Sequence, residues 1–76
     1  MEFNEDKFRK TVVEALELKD SDYRDSLALG DVPSWDSLGH LSLVAAIEAT
    51  FGVRFETDAI VEMNSVAKLK AALAAE

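Results

Sequence analysis

Cysteine is absent from this chain of 76 residues. Disulfides and cysteine-ligated metal sites are therefore excluded, and the chain has no thiol of its own. Histidine is almost absent too: the single His40 makes a histidine-rich metal site impossible, and no metal is expected. No apolar run approaches the roughly 20 residues that cross a membrane, so no membrane span is expected. Basic residues are few, 8 against 15 acidic ones, and the formal net charge is -7. Such a field repels phosphate backbones, which argues against a nucleic-acid partner and favours protein partners with basic patches. The amino-terminal run Met1-Glu2-Phe3-Asn4-Glu5-Asp6 is acidic and lacks the basic and apolar regions of a signal peptide. A cytoplasmic protein is the simplest expectation.

What remains is a chain of one domain, residues 1–76, with a narrow stability margin once conformational entropy is counted. Its hydrophobic fraction of 49% still argues for a folded domain rather than a disordered tail. Repeats and low-complexity tracts are missing. Helical periodicity first runs from about Asn4 to Leu18, with Phe8, Val12, Ala15 and Leu16 in register and Val13 beside them. Asn4 suits an N-cap, and Glu5 and Asp6 suit the positive end of the helix dipole. The stretch from Lys19 to Trp35 is long for a helix-to-helix connection. Leu27, Leu29 and Val32 are expected to pin it to the core. Pro33 restricts Val32 to extended conformations and blocks a continuous helix there.

A second helix is expected from about Ser37 to Phe51, closed by Gly52 in the left-handed conformation. Val53-Arg54-Phe55-Glu56 reads as extended or turn-like. Thr57 is expected to cap a short helical turn through Asp58, Ala59, Ile60 and Val61. Asn64 or Ser65 would cap a last helix with Val66, Leu69, Ala72 and Leu73 on one face. The fold class is all-α: a small four-helix bundle, three main helices plus a short third one, with a long loop between the first two.

Ser37 stands where an N-cap is expected, beside unpaired backbone N–H groups and the positive end of a helix dipole. Two readings follow. Its hydroxyl is a plain cap, or its oxygen carries an anion, since a phosphodiester would meet the same N–H groups. Position alone leaves both open.

The motif Asp36-Ser37-Leu38, opening a helix in the middle of an acidic chain of this length, resembles the attachment motif of acyl carrier proteins. The similarity covers nearly the whole chain: a first amphipathic helix, a long loop, the motif and its helix, a short third helix and a final one. Gly52-Val53-Arg54-Phe55 falls where the family leaves its second helix, and Phe55 and Met63 fall where it flanks the third with apolar residues. The resemblance implies a carrier with no catalysis of its own. Ser37 would be the covalent attachment point of 4'-phosphopantetheine from coenzyme A. The arm would supply the sulfur that the chain lacks and hold acyl groups as thioesters. The implied partners are a phosphopantetheinyl transferase, an acyl-loading ligase or acyltransferase, and downstream acyl-processing enzymes; a monomer is expected. Asp36 would help the transferase place its metal, and Leu38 would contact partner enzymes or join the core.

The second helix adds detail. Leu43, Val44, Ile47 and Phe51 form one broad apolar face suited to the core, while Leu38, Leu41 and Ala45 lie on another side. Between Ser37 and Phe51 only Glu48 is charged. Carriers of primary fatty acid synthesis usually carry several acids along this helix, where Gly39, Ser42 and Ala49 stand here. A dedicated partner set is therefore expected, reading this region through Asp36, Leu38, Leu41, Glu48 and Trp35, partly by apolar contact. Trp35 also reads as a partly buried packing residue. His40 reads as a rim histidine with a solvated ring. The positions matching the family's acyl cavity are Ile47, Phe55, Ile60 and Met63; the bulk of Phe55 suggests a short or polar cargo held mostly in solvent.

Other readings compete. Asp36, Ser37 and His40 are the residue types of a nucleophilic triad, but Asp36 is poorly placed to orient an imidazole and no nucleophile elbow surrounds Ser37. A plain acidic interaction module explains the charge and leaves the motif unexplained. A standalone aminoacyl or peptidyl carrier is closer, although such carriers more often show a Gly-Gly pair where Trp35-Asp36 stands.

Overall fold

The computed structural model describes residues 4–75. Met1, Glu2 and Phe3, part of the acidic run noted above, lie outside the described residues. The architecture of the described residues is all-helical: α1 spans Glu5–Ala15, α2 Ser37–Phe51, α3 Thr57–Glu62 and α4 Val66–Ala74, with a 3-10 turn, Asp20–Asp22, in the first loop. No described helix is long and apolar enough to cross a membrane.

α1 begins as its sequence dictates, with Asn4 Oδ1 accepting from the Lys7 N–H at 2.9 Å. Phe8, Val12 and Leu16 are buried along one stripe. The helix ends three residues before the expected Leu18, because Glu17 turns into the left-handed region at φ 54°. The Leu18 N–H then reaches the Val13 carbonyl at 2.9 Å, and the Glu17 N–H reaches Glu14 at 3.3 Å. This is a Schellman closure made without glycine.

The loop is anchored by two of the three side chains expected to hold it. Leu27 is buried and Val32 half-buried, as anticipated, but Leu29 is 40% exposed. Its backbone does the anchoring instead: the Leu29 N–H donates to the Asn64 carbonyl and the Val66 N–H to the Leu27 carbonyl, both at 2.9 Å. This antiparallel bridge of Ala28 with Ser65 fastens the loop to the start of α4. The largest buried side chain is also in the loop: Trp35, with no exposed surface.

α2 matches the expected span, and Gly52 closes it at φ 69°. Leu43, Val44 and Ile47 are buried and Phe51 is half-buried. The last two helices differ at their starts. Thr57 is not a cap but the first helical residue of α3; Glu56 takes the N-cap position and makes no side-chain cap bond. Ser65, rather than Asn64, caps α4, its Oγ accepting from the Lys68 N–H at 3.2 Å. One core cluster joins α1, the loop, α2 and α4: Phe8, Val12, Leu16, Leu27, Trp35, Leu43, Ile47, Met63, Val66, Leu69 and Leu73. A charged tie joins α1, the loop and α4 on the outside, where Lys70 Nζ lies 2.7 Å from Glu5 and 2.9 Å from Asp25.

Candidate functional site: the start of the second helix

The first turn of α2 assigns the capping task to Asp36. Its backbone is extended, its Oδ1 accepts from the Gly39 N–H at 2.8 Å, and its carbonyl accepts from the His40 N–H at 2.8 Å. Ser37 is therefore the first helical residue and not the N-cap that its position suggested. Two acceptors compete for the N–H groups of the first turn, and the carboxylate, whose bond is charge-assisted, is the stronger. Ser37 is left exposed, and no described residue hydrogen-bonds its Oγ. The N–H groups of Ser37 and Leu38 precede the first intrahelical partners and point out of the helix end.

Gly39 explains how the preceding loop can come so close. A Cβ on Gly39 would overlap the Ser34 carbonyl oxygen and stand 3.3 Å from Asp36 Oδ1. The loop backbone thus lies directly against the first turn of α2, which fixes where Asp36 and Ser37 emerge.

Beneath this turn the structure overturns two expectations. Trp35 is fully buried and so cannot be a partner contact; its large ring fills the core, and its indole N–H is satisfied internally. His40 is not a solvated rim histidine: it is 6% exposed. Trp35 Nε1 donates to His40 Nδ1 at 3.0 Å, and His40 Nε2 lies 2.8 Å from the Ile60 carbonyl oxygen. The rings lie 6.1 Å apart between centroids at 21°. An indole nitrogen can only donate, so Nδ1 is the acceptor and Nε2 carries the proton given to Ile60. Both ring nitrogens are engaged away from Ser37.

The remaining candidates separate by exposure. Leu38 is 76% exposed and Leu41 58% exposed, so Leu38 is not a core residue. Ala45, one turn further along the same face, is exposed, and so is Val61 on α3 at 70%. Glu48 is half-buried and bonded inward: its Oε2 accepts from the Phe55 N–H at 2.9 Å, and its carbonyl accepts from Gly52 and Val53. It holds the chain as it leaves α2, which takes it out of the set of outward-facing charges. Of the cavity positions, Ile47 and Met63 are buried, and Phe55 and Ile60 are half-buried against the core. Among the described residues no cluster of acids or histidines is arranged to hold a metal.

Comparison of the chain with protein-family models and with curated proteins finds no match to either.

Proposed function

We propose that the chain is a carrier protein: Ser37 bears a 4'-phosphopantetheine arm and the folded domain presents its acyl cargo to separate enzymes, in a cytoplasmic setting. The observation that carries this reading is the Ser37 hydroxyl, exposed and unbonded at a helix start that Asp36 already caps. A serine needed only for capping would be bonded as Asp36 is. The resemblance of Asp36-Ser37-Leu38 and of the helical layout to acyl carrier proteins gives the exposed oxygen its chemistry.

The site suits such a group. The Ser37 oxygen would form the phosphodiester, and the open N–H groups of the first turn together with the helix dipole favour its negative charge there. Asp36 uses one oxygen on Gly39 and keeps Oδ2 unbonded among the described residues, free for the metal of a modifying enzyme. The arm's terminal thiol would supply the thioester chemistry of which a cysteine-free chain is incapable.

Leu38, Leu41 and Ala45 present an apolar strip beside Ser37, and no outward acid breaks it within α2. Partner enzymes are proposed to read this strip by apolar contact. Asp36 lies at one end of it, and the acidic surface elsewhere contributes to approach. This differs from recognition through a row of acids and supports a dedicated partner set. Intact-mass measurement of protein from its native host tests the reading and identifies the cargo. It should show the chain plus the arm, alone or with an acyl group. A population entirely at the unmodified mass counts against it.

A further inference from the structure

α3 is too short to hold itself. It has six residues, none of them buried, and its N-cap makes no side-chain bond. Isolated helices of this length are unstable in water because nucleation is costly and few bonds repay it. Its carboxyl end is irregular as well. The Asn64 N–H, which a regular helix would send to the Ile60 carbonyl, donates to Glu62 at 2.9 Å instead. The Ile60 carbonyl would be left without a donor in a half-buried setting, and His40 Nε2 fills that place from α2. On its other side the same imidazole is held by the Trp35 indole, and the Trp35 carbonyl accepts from the Gly30 N–H at 2.9 Å.

We propose that His40 is a latch on α3, a buried side chain of α2 that caps the short helix at Ile60 and ties its position to the loop presenting Ser37. When the latch is broken, residues 57–64 open as one unit while α1, α2 and α4 stay folded. Ile60 and Met63 leave with the unit and uncover the core beside Ile47. The latch itself rests on geometry alone and stands whether or not Ser37 is modified; only its bearing on an apolar cargo rests on the carrier reading. The ring fixes the direction of the relay: with Nδ1 accepting from the indole, only the Nε2–H tautomer can cap Ile60.

Amide hydrogen exchange by NMR on the unmodified full chain tests the latch. In the wild type, the amides of Ile60, Met63 and Asn64 should exchange together and faster than the buried amides of α1, α2 and α4. His40→Phe should speed them about tenfold beyond any change common to the whole chain, as expected for the loss of one neutral hydrogen bond. Thr11→Val, which removes a bond inside α1, should show no such preference. Two outcomes overturn the proposal: α3 amides that exchange only with global unfolding in the wild type, or a His40→Phe effect spread evenly over all helices. If His40→Phe does not fold, the wild-type exchange and the ring tautomer decide. A long-range proton–nitrogen spectrum should show a bare Nδ1 and a protonated Nε2; the reverse tautomer overturns the latch.

Discussion

Asp36 and Ser37 are neighbours at the start of α2 with different duties. Asp36→Ala removes the cap and should cost about 1 kcal/mol. Ser37→Ala should stay within about 0.5 kcal/mol of the wild type, as exposed substitutions generally do. Urea unfolding of the two variants distinguishes them, and equal costs would return the capping role to Ser37. Gly39 gives a sharper case. Helix propensity alone favours Gly39→Ala by about 1 kcal/mol. The added methyl, however, meets the Ser34 carbonyl, and backbone has little room to yield. Overpacking of this kind costs about 1–3 kcal/mol, so the net effect should be destabilising. The same variant should slow modification of Ser37, because the loop that positions it must shift. The sequence pointed to Ser37 as the cap, but a serine and an aspartate at adjacent positions both suit an N-cap and only backbone geometry chooses between them. The sequence misplaced Trp35 and His40 for a related reason. Their burial depends on each other and on a carbonyl twenty residues further along, which no local pattern shows.

At the scale of elements, α2 was legible from end to end. Its limits were written in local chemistry, a cap before it and Gly52 after it, and its two apolar faces followed from helical spacing. The end of α1 was not legible, because no glycine marks the left-handed residue. Glu17 adopts that conformation against its preference, and for residues with a Cβ the left-handed region costs about 1–2 kcal/mol. Glu17→Gly should therefore raise stability, by about 0.5–1 kcal/mol after the added freedom of the unfolded chain is counted. A thermal melt that moves downward instead would contradict the Schellman closure. On α2 the exposed strip makes its own prediction. Leu41→Ala should leave folding almost untouched, since the side chain is largely in solvent. It should lower the kcat/KM of a phosphopantetheinyl transferase severalfold; an unchanged value would remove Leu41 from the docking surface.

For the whole molecule, the balance of charge matters most where the lysines are. Lys70 joins α4 to Glu5 of α1 and to Asp25 of the loop, and these hydrogen-bonded carboxylates hold its ammonium well above the usual lysine range. Burial pushes the Tyr23 hydroxyl up as well, with Lys70 opposing it. Both groups bind protons more tightly folded than unfolded. Their contribution is complete at neutral pH and is lost as pH rises from about 10, where the unfolded chain begins to release those protons. Stability should fall on the alkaline side, and Lys70→Met should flatten that fall. Because both carboxylates are largely exposed, each pair contributes only about 0.2–1 kcal/mol, and added salt should shrink the difference between wild type and Lys70→Met at pH 7. A difference that grows with salt would contradict this assignment. The all-helical class and the single core were readable from apolar periodicity. The tie through Lys70 was not, because it joins positions 5, 25 and 70, which are neighbours only after folding.

The central claim concerns the oxygen of Ser37, and enzymatic modification of the folded chain tests it most directly. Purified protein is incubated with coenzyme A, magnesium and a broad-range phosphopantetheinyl transferase, and its intact mass is measured. The account predicts a gain of one phosphopantetheine per chain, located on Ser37 and absent from Ser37→Ala. An unchanged mass in the folded wild type, or a gain that persists in Ser37→Ala, would contradict it.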